Sequence, residues 1–83
     1  MTLTSMDAGM IRIGSRVRVR DADGEDEFTL VPEHEADAYA RRLSAESPLG
    51  RALIGRHVGE RVLFRAPGGM MGVTVLAVDG EAS

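Results

Sequence analysis

Between Arg16 and Arg20 the chain reads RVRVR. Side chains of an extended backbone alternate between faces, so Val17 and Val19 fall on one side and the arginines on the other. The segment is predicted as a half-buried strand. DADGED follows, and Asp23-Gly24 predicts a tight hairpin turn because both residues tolerate positive φ at its centre. EFTLV returns as a second strand, which Pro32 ends.

A chain of 83 residues is one small domain. It buries a modest core and needs a well-closed sheet, a partner or a staple to be stable. Cysteine is absent, which excludes disulfides and thiolate metal sites and fits a reducing compartment. No apolar run reaches membrane-spanning length and no signal-peptide pattern opens the chain. The expectation is a cytoplasmic protein with no membrane partner. The net charge of −3 argues against direct nucleic-acid binding, which relies on a basic surface. Phe28, Tyr39 and Phe64 are the only aromatic residues, too few for a base-stacking platform.

Residues 1–13 lack clear periodicity up to Met10 and are expected to be a flexible segment, as are residues 80–83. PEHEADAYARRL predicts a loop with a helical turn, in which Ala36, Tyr39 and Ala40 could share a face. Arg41 to Ala45 reads as a short strand with Leu43 inward. SPLGRALIG is a short helix with definite ends. Ser47 caps it, and Pro48 has no N–H to leave orphaned at its first position. Leu49, Ala52 and Leu53 face the core at helical spacing, and Gly55 closes it. Gly50, inside that helix, costs about 1 kcal/mol relative to alanine, and close approach of another backbone is the usual reason for such a glycine. A second hairpin follows. Val62, Phe64 and Ala66 share a face, Pro67-Gly68 predicts a type II turn, and Val73 to Val78, apolar on both faces, predicts an interior strand. The fold class is α+β: an antiparallel sheet of about four to five strands packed on a short helix.

No constellation of side chains reads as a catalytic site. DADGEDE opens like a calcium loop, but the twelfth position from Asp21 is Pro32, where a bidentate glutamate is required. A solvated hairpin turn explains the carboxylates better. His34 and His57 lack metal-ligand spacing, and Glu33, Glu35 and Asp37 around His34 read as an exposed loop cluster. Capping explains Ser47 without making it a nucleophile. PGGMMG lacks the Lys-Ser/Thr of a phosphate loop and leads into a strand. Met70 and Met71 at that hairpin tip are an apolar contact surface, or one of them packs inward. No cofactor or metal is implied.

Taken together, Glu35-Ala36-Asp37, Ser47-Pro48-Leu49-Gly50-Arg51-Ala52-Leu53, Gly55, Val58-Gly59-Glu60 and Pro67-Gly68-Gly69 closely resemble the C-terminal domain of the bacterial Gre transcription elongation factors, GreA and GreB. The resemblance runs from about Gly14 to Val78, and the domain is drawn at residues 14–79. It implies an FKBP-like fold, a curved antiparallel sheet wrapped on a short helix. It also implies a partner, RNA polymerase, met at the rim of the secondary channel. The residues carried over as polymerase-contacting are Ser47, Pro48, Leu49 and Arg51, with Glu35 and Asp37 from the preceding loop. In the family, cleavage of the transcript depends on the acidic tip of an N-terminal coiled coil. Residues 1–13 could not form one, so the expected function is non-catalytic binding. The alternative is a repurposed domain that binds a small molecule or self-associates, a homodimer being compatible with so small a core.

Overall fold

The computed structural model describes residues 9–79. The elements, in chain order, are β1 (Arg16–Asp21), β2 (Gly24–Val31), a 3-10 turn at Glu33–Glu35, β3 (Arg42–Ser44), α1 (Pro48–Leu53), β4 (Arg61–Ala66) and β5 (Gly69–Asp79). The strands make one curled sheet in the order β3-β2-β1-β5-β4. This is the α+β, FKBP-like arrangement predicted. One pairing departs from it: β3 runs parallel to β2, from Thr29↔Arg42 to Val31↔Ser44, so the sheet is mixed. The other strand pairs are antiparallel. A tight turn would have forced antiparallel return, whereas residues 32–41, with their 3-10 turn, carry the chain back as a crossover.

Register explains the core. Val17 lies opposite Phe28 on one side and Val78 on the other; Val19 lies opposite Val75, and Val62 opposite Val73. Directly paired residues share a face, so these side chains converge on one side of the sheet. Val17, Val19, Val62, Val73 and Val75 form the buried core with Ile11, Leu30 and Leu53, and Phe28, Leu43, Leu49, Ala52, Phe64 and Val78 pack against it. β5 lies between β1 and β4, the interior place its two apolar faces predict.

Both hairpins form; the first turn sits one residue earlier than predicted, and the second sits at Pro67–Gly68 as predicted. Ala22–Asp23 and Pro67–Gly68 are the loops, closed by Asp21↔Gly24 and Ala66↔Gly69. Positive φ falls on the closing glycines, 131° at Gly24 and 125° at Gly69, so the second turn is not type II. In the first loop the Asp23 N–H donates to Asp21 Oδ1 (2.8 Å), an Asx turn that places the bend ahead of the glycine.

The packed unit also starts earlier than residue 14. Ile11 is fully buried, its N–H donates to the Arg56 carbonyl (2.8 Å), and its own carbonyl accepts from the Gly55 N–H (2.8 Å). Met10 bridges His57. A short bridge gives no periodic signal, which is why residues 9–13 read as tail. Residues 1–8 of the segment expected to be flexible, and the tail at 80–83, lie outside the described residues. Ile11→Ala should therefore destabilise the domain by about 2–5 kcal/mol in urea unfolding, as a core truncation does. A change within about 0.5 kcal/mol would return Ile11 to the surface.

Candidate functional site

Ser44, at the end of β3, organises the approach to α1. Its carbonyl accepts from the Ser47 N–H (3.1 Å) and the Ser47 hydroxyl (2.7 Å). Its own hydroxyl donates to Glu33 Oε1 (2.8 Å) and accepts from the Glu46 N–H (3.0 Å). Ser47 in turn caps α1, accepting from the Gly50 N–H at 3.0 Å. The glycine is explained by what lies beside it. A Cβ at Gly50 would collide with the Ser44 carbonyl oxygen and come within 2.9 Å of Ala45 Cα. The backbones of α1 and the β3–α1 turn thus touch, and Leu53 is sunk in the core while Pro48 and Arg51 stay exposed.

This seating opens a groove on the inner face of the sheet. Phe28, Leu43, Leu49 and Ala36 give it apolar walls, and Asp26, Asp37, Arg41 and Arg42 contribute polar groups. Asp26 reaches that face because it pairs with Val19. Its Oδ1 lies 3.2 Å from Arg41 Nη1. Arg41 holds φ 60°, uncommon for a residue with a Cβ, and its carbonyl accepts from the Thr29 N–H (2.9 Å). Asp37 Oδ1 accepts from the Tyr39 N–H (3.0 Å), and Asp37 and Arg42 exchange backbone hydrogen bonds across the turn between them. An open cleft with an apolar floor and charged edges suits an apolar side chain presented on a polar macromolecular surface.

Of the residues singled out in the sequence, Asp37 and Leu49 line this groove, and Pro48 and Arg51 stand on the adjoining helix. Ser47 is half-buried and engaged in the cap. Glu35 ends the 3-10 turn, exposed, 3.5 Å from His34 Nε2, and does not line the groove. Tyr39 is fully exposed on the turn, so it shares no packed face with Ala36 and Ala40. Met70 and Met71 lie away from the groove, on β5 where it pairs with β4. They pair with Arg65 and Phe64, which sends them to opposite faces, and both are substantially exposed. Asp26 and Arg41 were not anticipated. Asp26 interrupts an otherwise apolar row that continues through Phe28 and Leu30, the pattern of a wall with one polar group. The acidic stretch from Asp21 to Glu27 is the solvated hairpin expected: Arg20 lies 3.5 Å from Glu25, and Arg18 lies 3.9 Å from Glu27.

Comparison with known proteins bears on the whole of this architecture. The family model "Transcription elongation factor, GreA/GreB, C-term" matches residues 6–80. The chain belongs to the GreA/GreB family. Transcription elongation factor GreA of Agrobacterium fabrum is 42% identical over 78 residues, which is 92% of this chain and 49% of that protein. GreA of Sinorhizobium medicae matches to the same extent. The chain thus spans about half the length of the curated relatives it matches. Among solved structures, GreA factor homolog 1 of Thermus thermophilus superposes with a TM-score of 0.74 at 27% identity, over 95% of this chain and 55% of that one. The Thermus aquaticus homolog gives 0.77 at 27% identity, over 95% and 54%. The match to the GreA/GreB model includes every strand, α1 and both walls of the groove. No helix among the described residues is long and apolar enough to cross a membrane.

The loop joining α1 to β4 is fixed by Glu60. The His57 N–H donates to its Oε2 at 2.8 Å, and this bond is the main reason its carboxyl sits below the usual carboxylate range; the His57 ring and Arg56 act in the same direction. A carboxyl depressed in the folded state contributes stability above its unfolded pKa, and loses it as pH falls through the folded value. Replacing Glu60 by glutamine should therefore flatten the acid limb of the stability curve below about pH 4.3, measured by thermal melts, and leave its neutral shape alone. Gly50→Ala should destabilise the domain by about 1–3 kcal/mol in denaturant unfolding, the effect of overpacking. An unconstrained helical glycine would give the opposite sign.

Proposed function

We propose that this chain is an RNA-polymerase-binding module that docks near the rim of the secondary channel and acts in regulation of elongation without cutting the transcript. The observation that carries this reading is the meeting of two separate segments at one open surface. Asp37, from the crossover, and Leu49, from α1, line the same groove, beside exposed Pro48 and Arg51. The residues assigned to the partner by family resemblance thus include a contiguous patch. Leu49 is half-buried and Arg51 exposed, so the patch offers an apolar contact with a cation at its margin. Membership of the GreA/GreB family supports polymerase as the partner. Glu35 and Ser47 take supporting places, Glu35 at the turn that leads to Asp37 and Ser47 under Pro48.

A non-catalytic role is favoured by how the acidic hairpin is occupied. Glu25, Asp26 and Glu27 lie within ion-pair distance of Arg20, Arg41 and the Arg16–Arg18 pair. The Asp21 carboxylate accepts a backbone N–H. These carboxylates serve the hairpin and have partners of their own.

The test is binding of the purified chain to core RNA polymerase, followed by biolayer interferometry or co-elution. Arg51 and Pro48 are exposed, so their substitution should leave folding intact. Arg51→Glu and Pro48→Ala are expected to weaken binding about tenfold or more, as loss of an interface hot spot does. No binding at micromolar concentration, or binding indifferent to Arg51→Glu, would overturn the proposal.

A further inference from the structure

β4 ends the sheet on the side away from β3, so one edge of its backbone faces no other strand. The phase of the ladder identifies the residues on that edge. The Val75 N–H donates to the Glu60 carbonyl (2.9 Å), which makes Arg61↔Thr74 a wide, non-hydrogen-bonded pair. By alternation Val62, Phe64 and Ala66 bond to β5, and Arg61, Leu63 and Arg65 direct their N–H and C=O groups outward. Among the described residues, no backbone hydrogen bond from outside the ladder reaches these three.

Their side chains share the convex face, opposite Thr74, Gly72 and Met70. Leu63 is 60% exposed at the centre of the strand, with an exposed arginine two residues away on each side. The arginines of β1 lie near glutamates of β2, but among the described residues neither Arg61 nor Arg65 has an ion-pair partner. The edge therefore carries unused backbone groups, a largely exposed leucine and two arginines without an ion-pair partner among the described residues; Arg61 lies over Gly72 of β5, on the same cleft as Asp21 and Asp23.

A second copy of the chain is a poor occupant. Antiparallel pairing of β4 with itself, centred on Leu63, sets Arg61 of each copy against Arg65 of the other, and like charges directly opposite are destabilising. Edge arginines commonly protect a sheet in this way. Protection alone does not call for a leucine between them. An acidic strand would satisfy all three features together: backbone pairing along the edge, a carboxylate opposite each arginine and an apolar side chain against Leu63.

We propose that β4 is a strand-addition site for an extended acidic segment of a partner protein, with Asp or Glu opposite Arg61 and Arg65 and an apolar residue opposite Leu63. The site shares no residue with the groove, which is lined from β2, the crossover, β3 and α1. Both surfaces are open at once.

The experiment uses the purified chain and two peptides, Thr-Glu-Thr-Val-Thr-Glu-Thr and its counterpart with lysine in place of glutamate. The glutamate peptide should shift the amide resonances of Arg61, Leu63 and Arg65 saturably and slow their hydrogen exchange, while the lysine peptide does neither. In Arg61→Glu/Arg65→Glu, whose fold is checked by its amide spectrum, the preference should invert, with the glutamate peptide weakened about tenfold or more. Equal responses to both peptides, shifts centred on Phe28, Leu43 and Leu49, or no shift at millimolar peptide would overturn the proposal. So would a concentration-dependent dimer that Leu63→Glu abolishes.

Discussion

The contact between the Ser44 carbonyl and the missing side chain of Gly50 fixes much of the functional half of the molecule. It lets α1 lie directly on the turn that leaves β3, close enough for Ser47 to bond both to Ser44 behind it and to Gly50 ahead. With α1 seated there, Leu53 enters the core and Leu49 becomes a wall of the groove. The same serine ties the 3-10 turn through Glu33, so the crossover, the short parallel strand and the helix are held from one residue. A side chain at position 50 would move all of them.

The surface charges act on a different scale. The arginine–glutamate pairs of the convex face are exposed and separated by 3.5 to 4.0 Å, and pairs of that kind contribute about 0–1 kcal/mol each. Burial of Ile11, Leu30, Leu53 and the valines of β1, β4 and β5 dominates the stability. The charges matter more for what each face excludes. β1 and β2 neutralise one another across the sheet, while β4 keeps a positive edge that discourages pairing with its own kind.

Most of what was legible in the sequence was carried by local pattern. Alternation gave β1, a run apolar on both faces gave the inner part of β5, the serine–proline start gave α1, and the glycine within it pointed to a backbone contact that Ser44 supplies. Two kinds of feature escaped. The parallel pairing of β3 depends on where a crossover returns the chain, which three residues of strand do not encode. The placement of Asp26 against Arg41 depends on β2 register and on the unusual φ of Arg41, both decided by tertiary contacts. The groove was legible through Leu43, Leu49 and Asp37 taken separately, but their meeting was not. Ile11 was missed because its partners, Gly55 and Arg56, lie far along the chain.

The interior place of β5 has a consequence for how the domain forms. The strand of this sheet that comes last in chain order is the one that joins β1 to β4: Val17 meets Val78 at one end of it, and Val62 meets Val73 near the other. Until it pairs, β4 has no neighbour in the sheet and Val19 has covered only one of its flanks. Closure of contacts between the two ends of a chain is slow relative to local hairpin formation. Closure of the sheet is therefore the late step in forming this domain. Until then the first hairpin and α1 keep their apolar faces uncovered, and transiently exposed surface of that kind is prone to aggregation.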